Sequence, residues 1–127
     1  MNMHEIAIAQ GIIEAIKEKA FHEKISEVKV LFGELQNIDI NIVMNYVTMT
    51  LESLNIKVKL SYEIREARFK CNKCGYEWSL SDVSLSEDER EMIHFMPEAV
   101  HTVVSCPNCK SSDFEVLDGK NVMMLVR

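Results

Sequence analysis

The residues that decide the reading are Cys71-Asn72-Lys73-Cys74-Gly75-Tyr76 and Cys106-Pro107-Asn108-Cys109-Lys110, with 31 residues between Cys74 and Cys106. Two residues between cysteines make a tight knuckle that aims both sulfurs at one ion, and Gly75 gives the backbone freedom for the turn that follows. Two knuckles supply the tetrahedral four-sulfur set that zinc favours. Cys71, Cys74, Cys106 and Cys109 are therefore the expected zinc ligands. With all four positions filled by protein, no coordination place is open to a reacting molecule, so a structural Zn(II) is expected. In zinc-finger peptides such an ion contributes on the order of 10–16 kcal/mol of apparent binding energy to folding.

Outward from the knuckles, the chain divides. On the amino-terminal side Ile6, Ala9, Ile12, Ile13, Ile16 and Ala20 recur at three- and four-residue spacing, which predicts an amphipathic helix over about 5–24. Val28, Val30 and Phe32 alternate with Glu27, Lys29 and Leu31 and predict a short strand ended by Gly33. Asp39 or Asn37 can cap a second helix over 40–54, with Ile42, Tyr46, Met49 and Leu54 as its expected buried positions. Val58, Leu60, Tyr62 and Ile64 then alternate with charged and polar neighbours as a second strand. Helix, strand, helix, strand predicts an α+β fold, a small sheet with both helices on one face.

The stretch 69–112 holds all the cysteines and both prolines, and it is too small to be stabilised by burial alone. The Val-, Leu- and Met-rich tail from Phe114 is expected to return as strands to the main sheet. The expected organisation is an α/β domain comprising 1–68 and 113–127, with a zinc-ribbon-like domain at 69–112 inserted in it.

Composition narrows the function. The chain has 127 residues, 47% hydrophobic and 27% charged, with a formal net charge of −6. That acidity argues against phosphate backbones, and so against nucleic acid as a partner. No run of about 18 apolar residues offers a membrane span. The first residues carry Glu5, Glu14 and Glu18 where a signal segment would be apolar. A cytoplasmic location with reduced thiols is expected, which favours metal over disulfides. There is no Ser/His/Asp set, phosphate-cradling glycine loop or catalytic carboxylate pair, so an enzyme is not expected.

Met3-His4-Glu5 opens the first helix. The plain reading is that Glu5 favours the positive helix end while His4 is solvated. A sharper one follows from ligand chemistry. A histidine second in a chain offers its imidazole, its backbone nitrogen and the terminal amine in one plane, a set suited to Ni(II) or Cu(II). Here that requires translation to begin at Met3, whose amine would then be the third donor. His94 and His101 lie between the knuckles and read as surface or packing residues, with His94 the candidate to help hold or relay nickel. His22 suits the carboxyl end of the first helix. Met44 and Met49 read as packing rather than copper ligands.

Met3-His4-Glu5 with its helix, Gly33-Glu34-Leu35 after the first strand, and the two cysteine knuckles occur in the order of one family. The sequence resembles HypA, the nickel metallochaperone of NiFe-hydrogenase maturation, which sometimes also serves urease. The resemblance runs almost the full length and implies a nickel-binding α/β part beside a zinc-binding part. It implies transient Ni(II) cargo held at the amino terminus through His4, with Glu5 adjacent. It further implies delivery alongside a HypB-type nucleotide-hydrolysing partner to the hydrogenase large-subunit precursor. The two residues ahead of Met3 depart from the family pattern. Two other classes stay open: a zinc-ribbon adaptor, and an iron electron carrier, since Cys-x-x-Cys-Gly-Tyr with Cys-Pro-x-Cys also looks like rubredoxin. More than half of this chain lies outside the cysteine site, unlike rubredoxin.

Overall fold

The computed structural model describes residues 3–127, and of Met3 only the backbone. The elements are α1 (Met3–His22), β1 (Glu27–Gly33), α2 (Ile40–Ser53), β2 (Lys59–Arg65), β3 (Arg68–Cys71), β4 (Glu77–Ser79), α3 (Glu87–Phe95), α4 (Val100–Val103), β5 (Phe114–Asp118) and β6 (Val122–Val126). Two three-stranded sheets form, in the orders β2-β1-β6 and β4-β3-β5. The fold is α+β. By its contacts the chain separates into two compact units. One holds the chain through Val30 with Ile38–Tyr62 and Met124–Arg127; the other holds Leu31–Asn37 and Glu63–Met123.

In the first unit α1 packs on α2, burying Ala9, Ile12, Ile13 and Ile16 at the spacing of one helical face. Asp39 caps α2, its Oδ1 accepting the Ile42 N–H at 3.2 Å. The Asp39 N–H in turn donates to Glu5 Oε2 at 2.6 Å. The buried face of α2 is Val43, Met44, Val47 and Leu51. The expected positions Ile42, Met49 and Leu54 are instead 37%, 70% and 45% exposed, and Tyr46 is half-buried. Two apolar stripes exist on this helix at helical spacing. The cap and the Glu5 tether fix the phase of the first turn, and that phase turns Ile42 outward.

The second unit is built around Phe69, Trp78 and Phe114, whose ring centroids lie 5.3–5.5 Å apart in edge-on and tilted arrangements. Leu35, Ile93, Val100, Val104, Cys71 and Cys106 complete this core. Antiparallel pairing of β3 with β5 sets Cys71 opposite Phe114. The tail therefore splits: β6 joins β1, but β5 joins the cysteine-bearing sheet rather than the main one. The large ring of Phe114 is buried there against two other rings, which outweighs continuity with its neighbours in sequence.

Gly33-Glu34-Leu35 acts as a clasp in this unit. The Glu34 N–H donates to the Arg65 carbonyl at 2.8 Å, and Glu34 Oε1 accepts the Ala67 N–H at 2.8 Å. The Leu35 N–H reaches the Gly119 carbonyl at 2.9 Å. A Cβ on Gly33 would lie 2.3 Å from the Gly119 carbonyl carbon, so backbones meet here with no room for a side chain.

Candidate metal centre

The centre grows from two turns of the same design. In the first, at the end of β3, the Gly75 N–H donates to the Cys71 carbonyl at 3.0 Å and the Cys71 N–H to the Tyr76 carbonyl at 2.8 Å. In the second, the Lys110 N–H donates to the Cys106 carbonyl at 2.9 Å and the Cys106 N–H to the Ser111 carbonyl at 2.8 Å. Gly75 and Lys110 hold equivalent places, with φ of 76° and 68°. The turns aim backbone amides at sulfur: Lys73 and Cys74 N–H groups point at Cys71 Sγ (3.4 and 3.5 Å), and the Cys109 N–H at Cys106 Sγ (3.5 Å).

All four Sγ atoms lie within 4.8 Å of one another, with Cys71–Cys109 at 3.5 Å and Cys74–Cys106 at 3.6 Å. A tetrahedron with Zn–S bonds of about 2.3 Å has edges of about 3.8 Å, so the sulfurs stand where such an ion requires them. Cys71 and Cys106 are buried while Cys74 and Cys109 are exposed, so the cage has one face in the core and one in water.

The protein's hydrogen bonds prepare the thiolates unevenly. The Cys74 amide lowers Cys71. Asn108 Nδ2, 3.5 Å from Cys74 Sγ, with the Tyr76 amide lowers Cys74 to about 6. The Ser111 amide lowers Cys109, but contact with Cys71, desolvation and the other sulfurs override it and push that thiol up to about 11. Four sulfurs this close cannot all be anions by themselves. A divalent cation among them is what makes four thiolates affordable.

The remaining candidates are placed separately. His4 is exposed on the first turn of α1. Glu5, one residue on, is buried and engaged with α2 through Asp39. The terminal amine and the Met3 side chain lie outside the described residues. His94 is exposed in the last turn of α3, next to Phe95, whose carbonyl accepts from Asn37 Nδ2 at 2.8 Å. His101 stacks on Phe114 with centroids 4.7 Å apart, a packing role. Among the described residues, no further group of three or more His, Cys, Asp or Glu side chains brings its ligand atoms together as the cysteines do. Sequence reasoning missed Asn108, Lys110 and the Glu5–Asp39 contact. Asn108 alone carried a signal, as an amide donor inside a knuckle. No helix among the described residues is long and apolar enough to cross a membrane.

An α+β chain with a closed four-thiolate cage defines a small metal-binding protein. Residues 3–126 match the family described as hydrogenase/urease nickel incorporation metallochaperone, HypA, and the chain belongs to that family. It is 44% identical to the hydrogenase maturation factor HypA of Pyrococcus horikoshii over 126 residues, covering 94% of this chain and 91% of the relative. It is 30% identical to the factor of the same name from Ignicoccus hospitalis over 124 residues, covering 92% and 89%. Among solved structures it is similar to a solution structure of a HypA protein (TM-score 0.63, 18% identity, 98% and 94% covered). It is similar also to that of the nickel metallochaperone HypA from Helicobacter pylori (TM-score 0.60, 16% identity, 97% and 95% covered). The family is one of maturation factors, not of enzymes.

Proposed function

We propose that this chain carries Ni(II) at its amino terminus and delivers it during maturation of NiFe-hydrogenase, while Cys71, Cys74, Cys106 and Cys109 hold a structural Zn(II). The observation that carries this reading is the separation of donor types. The four thiolates form a closed set turned partly into the core, whereas His4 is a nitrogen donor exposed on the first turn of a helix. A carrier must give its metal up. A few nitrogen and oxygen donors at one chain end suit release, and an enclosed cage suits retention.

In this account His4 is the principal nickel ligand, with the Met3 amine where translation begins there. Glu5 contributes through a carboxylate whose position is set by the Asp39 N–H before the metal arrives. His94, exposed in the last turn of α3, is the further candidate to help hold or relay the ion. The tasks divide between the unit that holds α1 and α2, which carries nickel, and the unit that holds the four cysteines, which carries zinc. The receiving partners are a HypB-type nucleotide-hydrolysing protein and the hydrogenase large-subunit precursor, in the cytoplasm.

Calorimetric titration of nickel into the zinc-loaded protein tests this, using wild type and His4→Ala, each begun at Met1 and at Met3. The reading predicts one saturable nickel site that His4→Ala removes with zinc content unchanged. Equal nickel binding by His4→Ala would refute it. Glu5→Gln keeps an acceptor for the Asp39 N–H, so it should weaken nickel without unfolding α2; Glu5→Ala loses both, at about 1–3 kcal/mol of stability.

A further inference from the structure

The cysteine cage is made of two unlike kinds of sulfur. Cys71 and Cys106 are buried in the aromatic core of the second unit, whereas Cys74 and Cys109 are exposed. The closest contacts run between the two kinds and from one knuckle to the other. The exposed Cys109 Sγ lies 3.5 Å from the buried Cys71 Sγ, and the exposed Cys74 Sγ lies 3.6 Å from the buried Cys106 Sγ. Each sulfur that solvent reaches therefore has a second sulfur behind it, supplied by the other knuckle. A disulfide needs about 2.05 Å between sulfurs, so closing either pair takes a movement of about 1.5 Å.

We infer that Cys74 and Cys109 are oxidation sites, at which hydrogen peroxide converts the cage into two disulfides that cross between the knuckles, Cys74–Cys106 and Cys71–Cys109, and so frees the metal. The inference rests on the reading of the four cysteines as a zinc cage and is independent of where nickel binds. In the first step an exposed thiolate attacks one peroxide oxygen. The O–O bond breaks, hydroxide leaves, and the sulfur becomes a sulfenic acid. In the second step the buried thiolate facing it attacks that sulfur. The S–O bond breaks and a second hydroxide leaves as the S–S bond forms. Both hydroxides take up a proton from solvent. Each disulfide thus passes two electrons to one peroxide, which ends as two waters, and two peroxides oxidise the whole cage.

The pairing decides what becomes of the fold. Neutral disulfide sulfurs are no ligands for a divalent cation, so zinc leaves. Yet Cys74 and Cys106 are separated by 31 residues, and a link between them keeps the two knuckles tied once the ion has gone. Phe69, Trp78 and Phe114, which pack against Cys71 and Cys106 in one buried cluster, then hold their places. The oxidised chain is metal-free but closed, unlike the reduced metal-free chain, in which nothing joins the knuckles. Reduction regenerates four thiolates already gathered for the ion. Reversible disulfides of this kind are the sort that reducing compartments use for sensing.

Stepwise addition of hydrogen peroxide to the zinc-loaded full chain tests this. Freed zinc is read with a chromogenic chelator, disulfides by non-reducing peptide mapping with fragmentation between Cys106 and Cys109, and the core by Trp78 emission. The expected result is loss of one zinc per chain for two peroxides consumed, with Cys74 joined to Cys106 and Cys71 to Cys109. Emission should stay at its buried wavelength, and shift to the red only when a thiol reductant is added with the chelator still present. A sulfenic-acid trap of the 1,3-dicarbonyl class, present during oxidation, should label Cys74 and Cys109 and spare Cys71 and Cys106. Disulfides within the knuckles, Cys71–Cys74 and Cys106–Cys109, would overturn the proposal. So would a trapped sulfenic acid at Cys71 or Cys106, zinc retained by the oxidised chain, or a red shift on oxidation alone. Zinc content of the reduced chain, measured beforehand, keeps the two readings apart: a chain without zinc tells against the cage, while the sulfur pairing is judged from the peptide map by itself.

Discussion

Lys110 stands where a glycine is expected. It occupies the left-handed region, as Gly75 does in the first knuckle, and a residue with a Cβ pays about 1–2 kcal/mol for that conformation. Glycine also loses more entropy on folding, so Lys110→Gly should change stability by only about 0–1 kcal/mol, in the stabilising direction, in denaturant melts of the zinc-loaded protein. Asn108 has a different task. Its amide holds the Cys74 thiolate, and removing that donor raises the thiol's pKa, so protons compete better with the metal. Asn108→Ala should therefore move the pH of half-maximal zinc release upward, with affinity at neutral pH lowered by about tenfold or more. Zinc release followed with a chromogenic chelator between pH 4 and 8 reads this; an unchanged midpoint would show that the amide does not tune the sulfur. The four cysteines were legible because ligand chemistry imposes their spacing. Lys110 was not, because the hydrogen bond from its N–H to Cys106 sets the turn whichever side chain follows.

At the scale of elements, what the sequence shows and what it hides separate along one line. Where burial imposes a single period, as along α1, the element and its inner face read directly. Helix α2 has two apolar stripes, and the choice between them is made by a contact 34 residues away in sequence, Glu5 to Asp39, which no local pattern carries. Strand β5 is likewise placed by distant aromatic partners. The two positive-φ glycines make the same point through mutation. At Gly75 nothing lies within 4 Å of an added Cβ, so Gly75→Ala should cost only the conformational penalty of about 1–2 kcal/mol. At Gly119 the Cβ would sit 2.5 Å from the Ala67 Cα, backbone against backbone, so Gly119→Ala should cost more than about 3 kcal/mol. Thermal melts of the two variants should rank them in that order, and equal losses would show that the close approach at Gly119 is not a constraint.

For the whole molecule, the metal and the aromatic core of the second unit are one structure, since Cys71 and Cys106 belong to the same buried cluster as Phe69, Trp78 and Phe114. Withdrawing the ion with a strong chelator should open that core. Emission from Trp78, now buried, should shift to the red. The helices α1 and α2 bury their own apolar faces and should keep most of their far-ultraviolet signal. Loss of the helical signal in step with the tryptophan shift would mean that the two units melt together. The central claim is that one chain keeps two metals apart by donor chemistry, and X-ray absorption at the zinc and nickel edges of the doubly loaded protein tests it most directly. The account predicts zinc surrounded by four sulfurs at about 2.3 Å and nickel surrounded by nitrogen and oxygen alone, the nickel signal vanishing in His4→Ala. Nickel with sulfur neighbours, displaced from the cysteine cage rather than from His4, would contradict it.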